Sequence, residues 1–304
     1  MNLHNRKQKL NASTSAALRK SVGGYLHTFR DTIEQNVREE TGSEEPSVLA
    51  GAVTSVMSLY DGRRPSYQRA NAAALTSDGT HRNGLPHGVT RWPEFESRPQ
   101  QFLLAVRLSE VSGGDPEGAL PPRGWLNFFM APEVMTGAAP LTACAVVFTL
   151  DEKAPMLAAP AGHLTSPAQM LGSMGTFHYI PQPHEFATPG EYETAMAERR
   201  VLQTRAPALT EDRWNSHSTE DYLLGKQWYA NPLHLRTDRD VAAFAREQHR
   251  RDDTRLQSLL TLTRLNEGWP FFEDNRVLSV TFFIEPSDLK IRRFDRVIVD
   301  VTSL

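Results

Sequence analysis

Apolar and polar positions alternate most clearly between Gln101 and Met130. Phe102, Leu104, Val106 and Leu108 fall on one face of an extended chain, with Leu103 and Ala105 opposite. Both faces are apolar, which predicts a strand buried on both sides. Ser112–Glu117 carries Gly113, Gly114, Asp115 and Pro116, residues that bend or stop strands. Pro121, Pro122 and Gly124 then lead into a second, aromatic-rich strand, Trp125–Met130. A weaker copy of this unit returns at Gln257–Ile284. Leu260–Glu267 can be laid on Leu103–Glu110 at an offset of 157 residues (260 − 103). Val280–Phe283 can be laid on Leu126–Phe129 at an offset of 154 (280 − 126). Two short matches in the same order point to an internal duplication.

Elsewhere the spacing is helical. Leu18, Val22, Leu26, Phe29, Ile33 and Val37 form one stripe and predict a helix from about Ser13 to Glu40, weakened by Gly23-Gly24 and ended by Gly42–Pro46. Val48, Ala52, Val53, Val56, Met57 and Tyr60 predict a second helix over Val48–Tyr60. Asp61–Thr90 is rich in turn residues and reads as a long surface excursion. Strands are predicted at Leu141–Leu150 and Thr176–Ile180. A helix follows from Pro189 to about Thr204, started by Thr188-Pro189-Gly190-Glu191. Arg205–Thr219 reads as a linker, and Thr237-Asp238 caps a helix over Arg239–Arg255. Strands at Leu256–Leu265, Arg276–Ile284 and Arg296–Val301 complete the chain. The spacing thus predicts a mixture of helices and strands, with an added N-terminal helical region. The expected divisions are 1–83, helical with a long loop, then a first β-rich half, 84–204, and a second, 205–304, packed with the first as one unit.

Composition narrows the function. The 304 residues are 39% hydrophobic, enough for one large domain or two fused smaller ones. A net charge of −3 argues against a general nucleic-acid binder, which carries a basic excess. One cysteine excludes an intramolecular disulfide and fits a reducing compartment, so a cytoplasmic location is expected. The basic N-terminus, with Arg6, Lys7 and Lys9, is followed by polar residues and not by the apolar core of a signal peptide. No apolar run is long enough to span a bilayer, so no membrane partner is expected.

Several motifs in order resemble the YwqG-like family, bacterial proteins of unknown function. They are Gly84-Leu85-Pro86, Trp92-Pro93, the strand Phe102–Leu108, and Leu120-Pro121 followed by Gly124-Trp125-Leu126-Asn127-Phe128-Phe129. The second half adds Leu223-Leu224-Gly225, Leu259–Leu265, Val280–Ile284 and Asp288-Leu289 with Phe294. The resemblance covers about 84–304. It implies an α+β fold of two related antiparallel halves. Some relatives are encoded beside secreted toxins, which implies an immunity or accessory role. The family often has Gln in both strands and Asp two residues later; this chain has Ala105 and Leu262, then Arg107 and Arg264.

Candidate chemistry is sparse. Cys144 lies in an apolar run without an adjacent base and reads as a structural thiol. His178 and His184, with Glu185 adjacent, would form a metal site only if Pro181 and Pro183 turned the chain back on itself, and isolated histidines are expected instead; Gly172-Ser173-Met174-Gly175 is shorter than a nucleophile elbow and reads as a turn. Asp115 with Glu117, and Asp252 with Asp253, sit in polar contexts and read as solvated carboxylates. No catalytic residue, metal or cofactor is assigned. Arg107 and Arg264, at matching places if the duplication holds, are candidates for an anionic group or a partner's carboxylate. Among the tryptophans, Trp125 and Trp269 are candidate partner anchors, the alternative being that they plug the end of a sheet. The expected function is a protein-interaction module with a partner such as a cognate toxin. The alternative is a small-molecule binder or enzyme with a site between the halves.

Overall fold

The computed structural model describes residues 23–61, 79–115, 118–163, 165–178, 188–205, 221–223, 256–263 and 277–303. Within them helix α1 spans 23–41 and α2 Val48–Ala52, followed by strand β1, Thr54–Asp61. Short strands β2 (His81–Arg82), β3 (Glu94–Phe95) and β4 (Arg98–Pro99) precede β5, Gln101–Arg107. A one-turn helix α3, Leu108–Val111, separates β5 from β6, Trp125–Met130. Then come β7 (Cys144–Thr149), β8 (Gln169–His178), α4 (Pro189–Arg205) and β9 (Asp221–Leu223). The chain ends with β10 (Gln257–Thr263), β11 (Val277–Ile284), α5 (Pro286–Lys290) and β12 (Ile298–Ser303). The class is α+β, with every ladder among the described residues antiparallel, as the family resemblance implies.

Ten strands form one sheet in the order β12-β11-β10-β9-β1-β8-β2-β5-β6-β7. It curls around a single apolar interior to which Leu59, Leu104, Phe128, Val146, Leu171, Leu260, Phe282 and Val299 all contribute. Phe128 and Phe282, from the two outer hairpins, meet with ring centroids 5.2 Å apart. The curl brings the two ends of the sheet together. The Val299 N–H donates to the Leu141 carbonyl at 2.9 Å, and Phe148 of β7 packs against Phe294 just ahead of β12.

The hairpin β5–β6 contains a bulge. Phe102 pairs with Phe129 and Leu104 with Phe128, so Leu103 has no ladder partner. This corrects the simple alternation. Leu103, Leu104 and Val106 all enter the interior, whereas Phe102 and Ala105 share the outer face with Trp125 and Phe129. One extra residue reverses the facing of everything on one side of it. The hairpin β10–β11 is irregular at the corresponding point, between Ser258/Phe283 and Leu260/Phe282. Here Leu259, Leu260 and Leu262 enter the interior, and Ser258 and Thr261 are the buried residues that alternate with them. Ladder positions therefore differ by 156 residues in the first strand (258 − 102) and 154 in the second (283 − 129).

Two expectations fail in the N-terminal region. The helix predicted over Val48–Tyr60 is α2 followed by β1, with Val53 between them in extended conformation. A short apolar run satisfies either period, and pairing decides it: β1 lies between β8 and β9 and is hydrogen-bonded to both. Residues 1–83 are thus not only helical, because they supply a central strand. Nor is Asp61–Thr90 wholly a surface excursion. Thr80, His81, Asn83, His87 and Val89 are buried, and β2 enters the sheet between β5 and β8. The linker at Arg205–Thr219, apart from Arg205 itself, and the helix at Arg239–Arg255 lie outside the described residues.

Leu26, Ile33 and Val37 of α1 pack with Leu49, Val53 and with Ala195 and Leu202 of α4 in a second apolar cluster. Helix α4 opens with a reciprocal capping box: the Glu191 N–H donates to Thr188 Oγ1, and the Thr188 N–H donates to Glu191 Oε2. A buried carboxylate ties the layer together. Glu198 of α4 accepts from the Ser47 hydroxyl at 2.9 Å, from the Leu49 N–H at 2.7 Å and from the Val48 N–H at 3.3 Å. The two N–H groups are orphan donors of the first turn of α2, where a negative charge is favourable. Glu34 of α1 accepts the Ser47 N–H at 2.8 Å. Glu198→Ala leaves several buried donors unmet and is expected to cost about 3 kcal/mol in urea unfolding, with Glu198→Gln intermediate.

Candidate functional site

The densest group of polar and aromatic side chains lies on the outer face of β5–β6, around Trp125. This ring is fully buried. His87 stacks on it, with centroids 3.9 Å apart and planes 4° from parallel. The Arg107 guanidinium lies over it at 5.8 Å, a cation–π distance. His81 approaches edge-on, 6.4 Å from Trp125 and 5.5 Å from His87. The indole N–H donates to the Glu152 carbonyl at 3.1 Å.

Backbone constraints place these groups. Gly124 has φ of 110°, and a Cβ there would lie 2.3 Å from the Thr149 carbonyl oxygen, so only glycine brings Trp125 into register against β7. His87 is held by Asn127, a fully buried side chain at the centre of β6. Its Oδ1 accepts from the His87 N–H at 2.9 Å, and its Nδ2 donates to the His87 carbonyl at 2.9 Å and to the Val147 carbonyl at 3.3 Å. The amide thus pairs with both backbone groups of one residue, as a neighbouring strand would. His81 has Nδ1 2.8 Å from the Gly79 carbonyl oxygen and Nε2 3.1 Å from that of Leu85.

The charged groups serve the same frame. Arg107 lies 3.9 Å from Glu110 and 3.8 Å from Glu152, with all three side chains about a quarter exposed. Glu110 also accepts the Thr80 N–H at 2.8 Å, and Glu152 the Gly124 N–H at 3.2 Å. The Arg107 N–H donates to Thr80 Oγ1 at 3.0 Å. Trp92 closes the far side: it packs edge-on to Phe129 and donates its indole N–H to the Gln100 carbonyl at 2.7 Å.

Of the residues singled out from sequence, the structure gathers Arg107 and Trp125 into one cluster. Trp125 plugs the sheet face and is not presented to solvent. Arg264 and Trp269 lie outside the described residues. The ladder also changes the expected pairing of arginines. Arg107 faces Trp125, and the corresponding pair in β10–β11 is Thr263 with Ser279, so Arg264 is one place past the match. His81, His87 and Asn127 were not singled out. Asn127 had a signal, being the one polar residue in Trp-Leu-Asn-Phe-Phe-Met. The histidines had none, because their meeting depends on the path of residues 79–90.

Cys144 Sγ points to the Leu141 and Val297 carbonyls at 3.7 and 3.4 Å, and burial of the sulfur pushes its thiol pKa far above the ordinary range. A thiolate is the reactive form, so this sulfur is chemically quiet. Among the described residues no cluster of His, Cys, Asp or Glu could hold a metal ion, and no helix is long and apolar enough to cross a membrane.

The architecture is that of an α+β protein built on one curled antiparallel sheet. The chain belongs to a family described as a domain of unknown function (DUF1963), whose model matches residues 84–302. It matches no curated protein. The family boundary leaves β1 and β2 outside, although both are strands of the sheet.

Two measurements test this description. Asn127→Leu strands both backbone groups of His87 and is expected to cost about 2–4 kcal/mol in chemical unfolding, whereas Arg107→Ala is expected to cost about 1 kcal/mol. Iodoacetamide at pH 8 is expected to label Cys144 far more slowly in the native protein than in urea.

Proposed function

We propose that this chain is a protein-interaction module acting in the cytoplasm, as an immunity or accessory protein of a toxin system, in keeping with the YwqG-like order of its motifs. The observation that carries this reading is the strap after β7. It holds Leu150 and Met156 in solvent, 50% and 56% exposed, on a backbone tied down at many points. The Glu152 carbonyl accepts the Trp125 indole N–H, the Gly88 N–H donates to the Pro155 carbonyl, and the Leu157 N–H donates to the Pro86 carbonyl. Apolar side chains displayed on a rigid support lose little entropy on docking, which favours binding. The cluster beneath is a pedestal: its histidine, arginine and carboxylate groups are engaged with backbone and with one another.

We also infer that the two halves arose by internal duplication. The matched bulges at Leu103 and Leu259 support this, as does the proline that follows both β6 and β11, Pro132 and Pro286, 154 residues apart (286 − 132). An experimental structure in which Gln101–Met130 fails to superpose on Gln257–Ile284 through these bulges would remove that inference.

The functional test is titration calorimetry against the product of a neighbouring toxin reading frame. Binding by the wild type and a loss of at least about tenfold in L150E/M156E are expected. No binding by the wild type sinks the toxin-partner reading.

A further inference from the structure

The connection after β11 carries a charge pattern at odds with the rest of the chain. Helix α5 ends at Lys290; Ile291, Arg292 and Arg293 form the turn, and Phe294–Arg296 is a single 3₁₀ turn. Lys290, Arg292, Arg293 and Arg296 are all exposed, and Ile291, between Lys290 and Arg292 in the chain, is 60% exposed. Two acids lie nearby: Asp288 is buried 3.7 Å from Arg293, and Asp295 is exposed. Lys290–Arg296 therefore nets +3 (4 − 1), whereas the rest of the chain carries −6 (−3 − 3).

The turn holds this pattern at a conformational cost. The Arg292 N–H donates to the Leu289 carbonyl at 3.0 Å and the Arg293 N–H to the Asp288 carbonyl at 2.8 Å, a Schellman-type ending. Arg292 takes φ of 60°, a conformation that glycine adopts freely and arginine does not. The connection after β6 is a useful contrast. It follows Pro132 as this one follows Pro286, then runs Thr136-Gly137-Ala138-Ala139 with φ of 75° at Gly137 and no charge. A connection of this kind therefore needs neither the cations nor the strained arginine. Strain kept where a simpler residue would serve is a pointer to function.

We infer that the Lys290–Arg296 turn is a docking surface for an acidic protein segment, with carboxylates on Lys290, Arg292 and Arg296 and an apolar side chain over Ile291. Guanidinium groups bind carboxylates in a planar, two-pronged geometry, which suits a defined segment. A compact acidic segment meets only the local positive field. An anionic membrane would also meet the negative remainder of the chain. The inference rests on the reading that this chain works by binding another protein, and it names a surface and a partner chemistry for that binding.

The test uses the full chain and three probes. They are a labelled peptide of aspartate and glutamate bearing two leucines, the same peptide with asparagine and glutamine, and phosphatidylserine vesicles. Fluorescence anisotropy is expected to show binding of the acidic peptide alone, weakening as salt rises. K290E/R292E is expected to lower that affinity at least about tenfold. R292G is expected to raise Tm by about 1–3 °C while weakening binding severalfold, because it relieves strain and removes a cation. Absence of peptide binding, unchanged binding in K290E/R292E, preference for the vesicles, or a lowered Tm in R292G each overturns the assignment. If the toxin-type partner binds the wild type and K290E/R292E equally, this surface is rejected and the interaction-module reading stands.

Discussion

The structure depends on the placement of one bulged residue in β5, which has no partner in β6. With Leu103 outside the ladder, Leu103, Leu104 and Val106 can all face inward while Phe102 and Ala105 turn outward. A regular strand would send Leu103 and Leu104 to opposite sides. The bulge therefore does two things at once. It thickens the interior where the hairpins meet at Phe128 and Phe282, and it prepares an outer platform on which Leu85, Val89 and Trp92 pack. Leu259 does the first of these in the second hairpin. There the alternating residues are hydroxylic, with Thr261 and Thr281 in contact at 3.3 Å, where the first hairpin has Ala105 and Asn127.

The outer platform shows how polar side chains can build architecture. Asn127, His81, Glu110 and Glu152 each satisfy backbone groups that the neighbouring ladder hydrogen bonds do not reach. Buried amide groups must be paired, and the single bridge between His87 and Met156 leaves the His87 N–H and carbonyl facing β6. Side chains from β2, from β6, from α3 and from the strap supply the missing partners. Trp125 then fills the space between them, with His87 stacked on it. The result is a rigid support in which chemically versatile residues are already engaged.

Much of the fold was legible in the sequence. The second strand, Trp125–Met130, and the helix from Pro189 were bounded closely, since an aromatic run between turn residues and a Pro-Gly-Glu start are local signals. A mixture of helices and strands followed from them, and the α+β class from the order of the family-like motifs. What was not legible required knowledge of partners. Val48–Tyr60 has a helical stripe that fits as well as the strand it becomes, and only the flanking strands β8 and β9 decide the matter. The bulge is invisible in composition, because three apolar residues in a row permit either facing. Consequently Arg107 and Arg264 looked equivalent by simple alignment, and the one-residue shift in the ladder separates them. Asn127 was visible as an oddity, but its partner His87 is forty residues away in the chain.

The strand between β8 and β9 has an implication for how this protein can evolve. Sequence kinship begins at residue 84, yet β1 ends at Asp61 and joins the two halves of the sheet edge to edge. Glu198, well inside the kin region, spends its carboxylate on a helix that lies before it. The matched stretch is therefore not a cassette that could be transplanted by recombination at its own border. A fragment cut at that border would leave β8 and β9 without the strand that pairs with both.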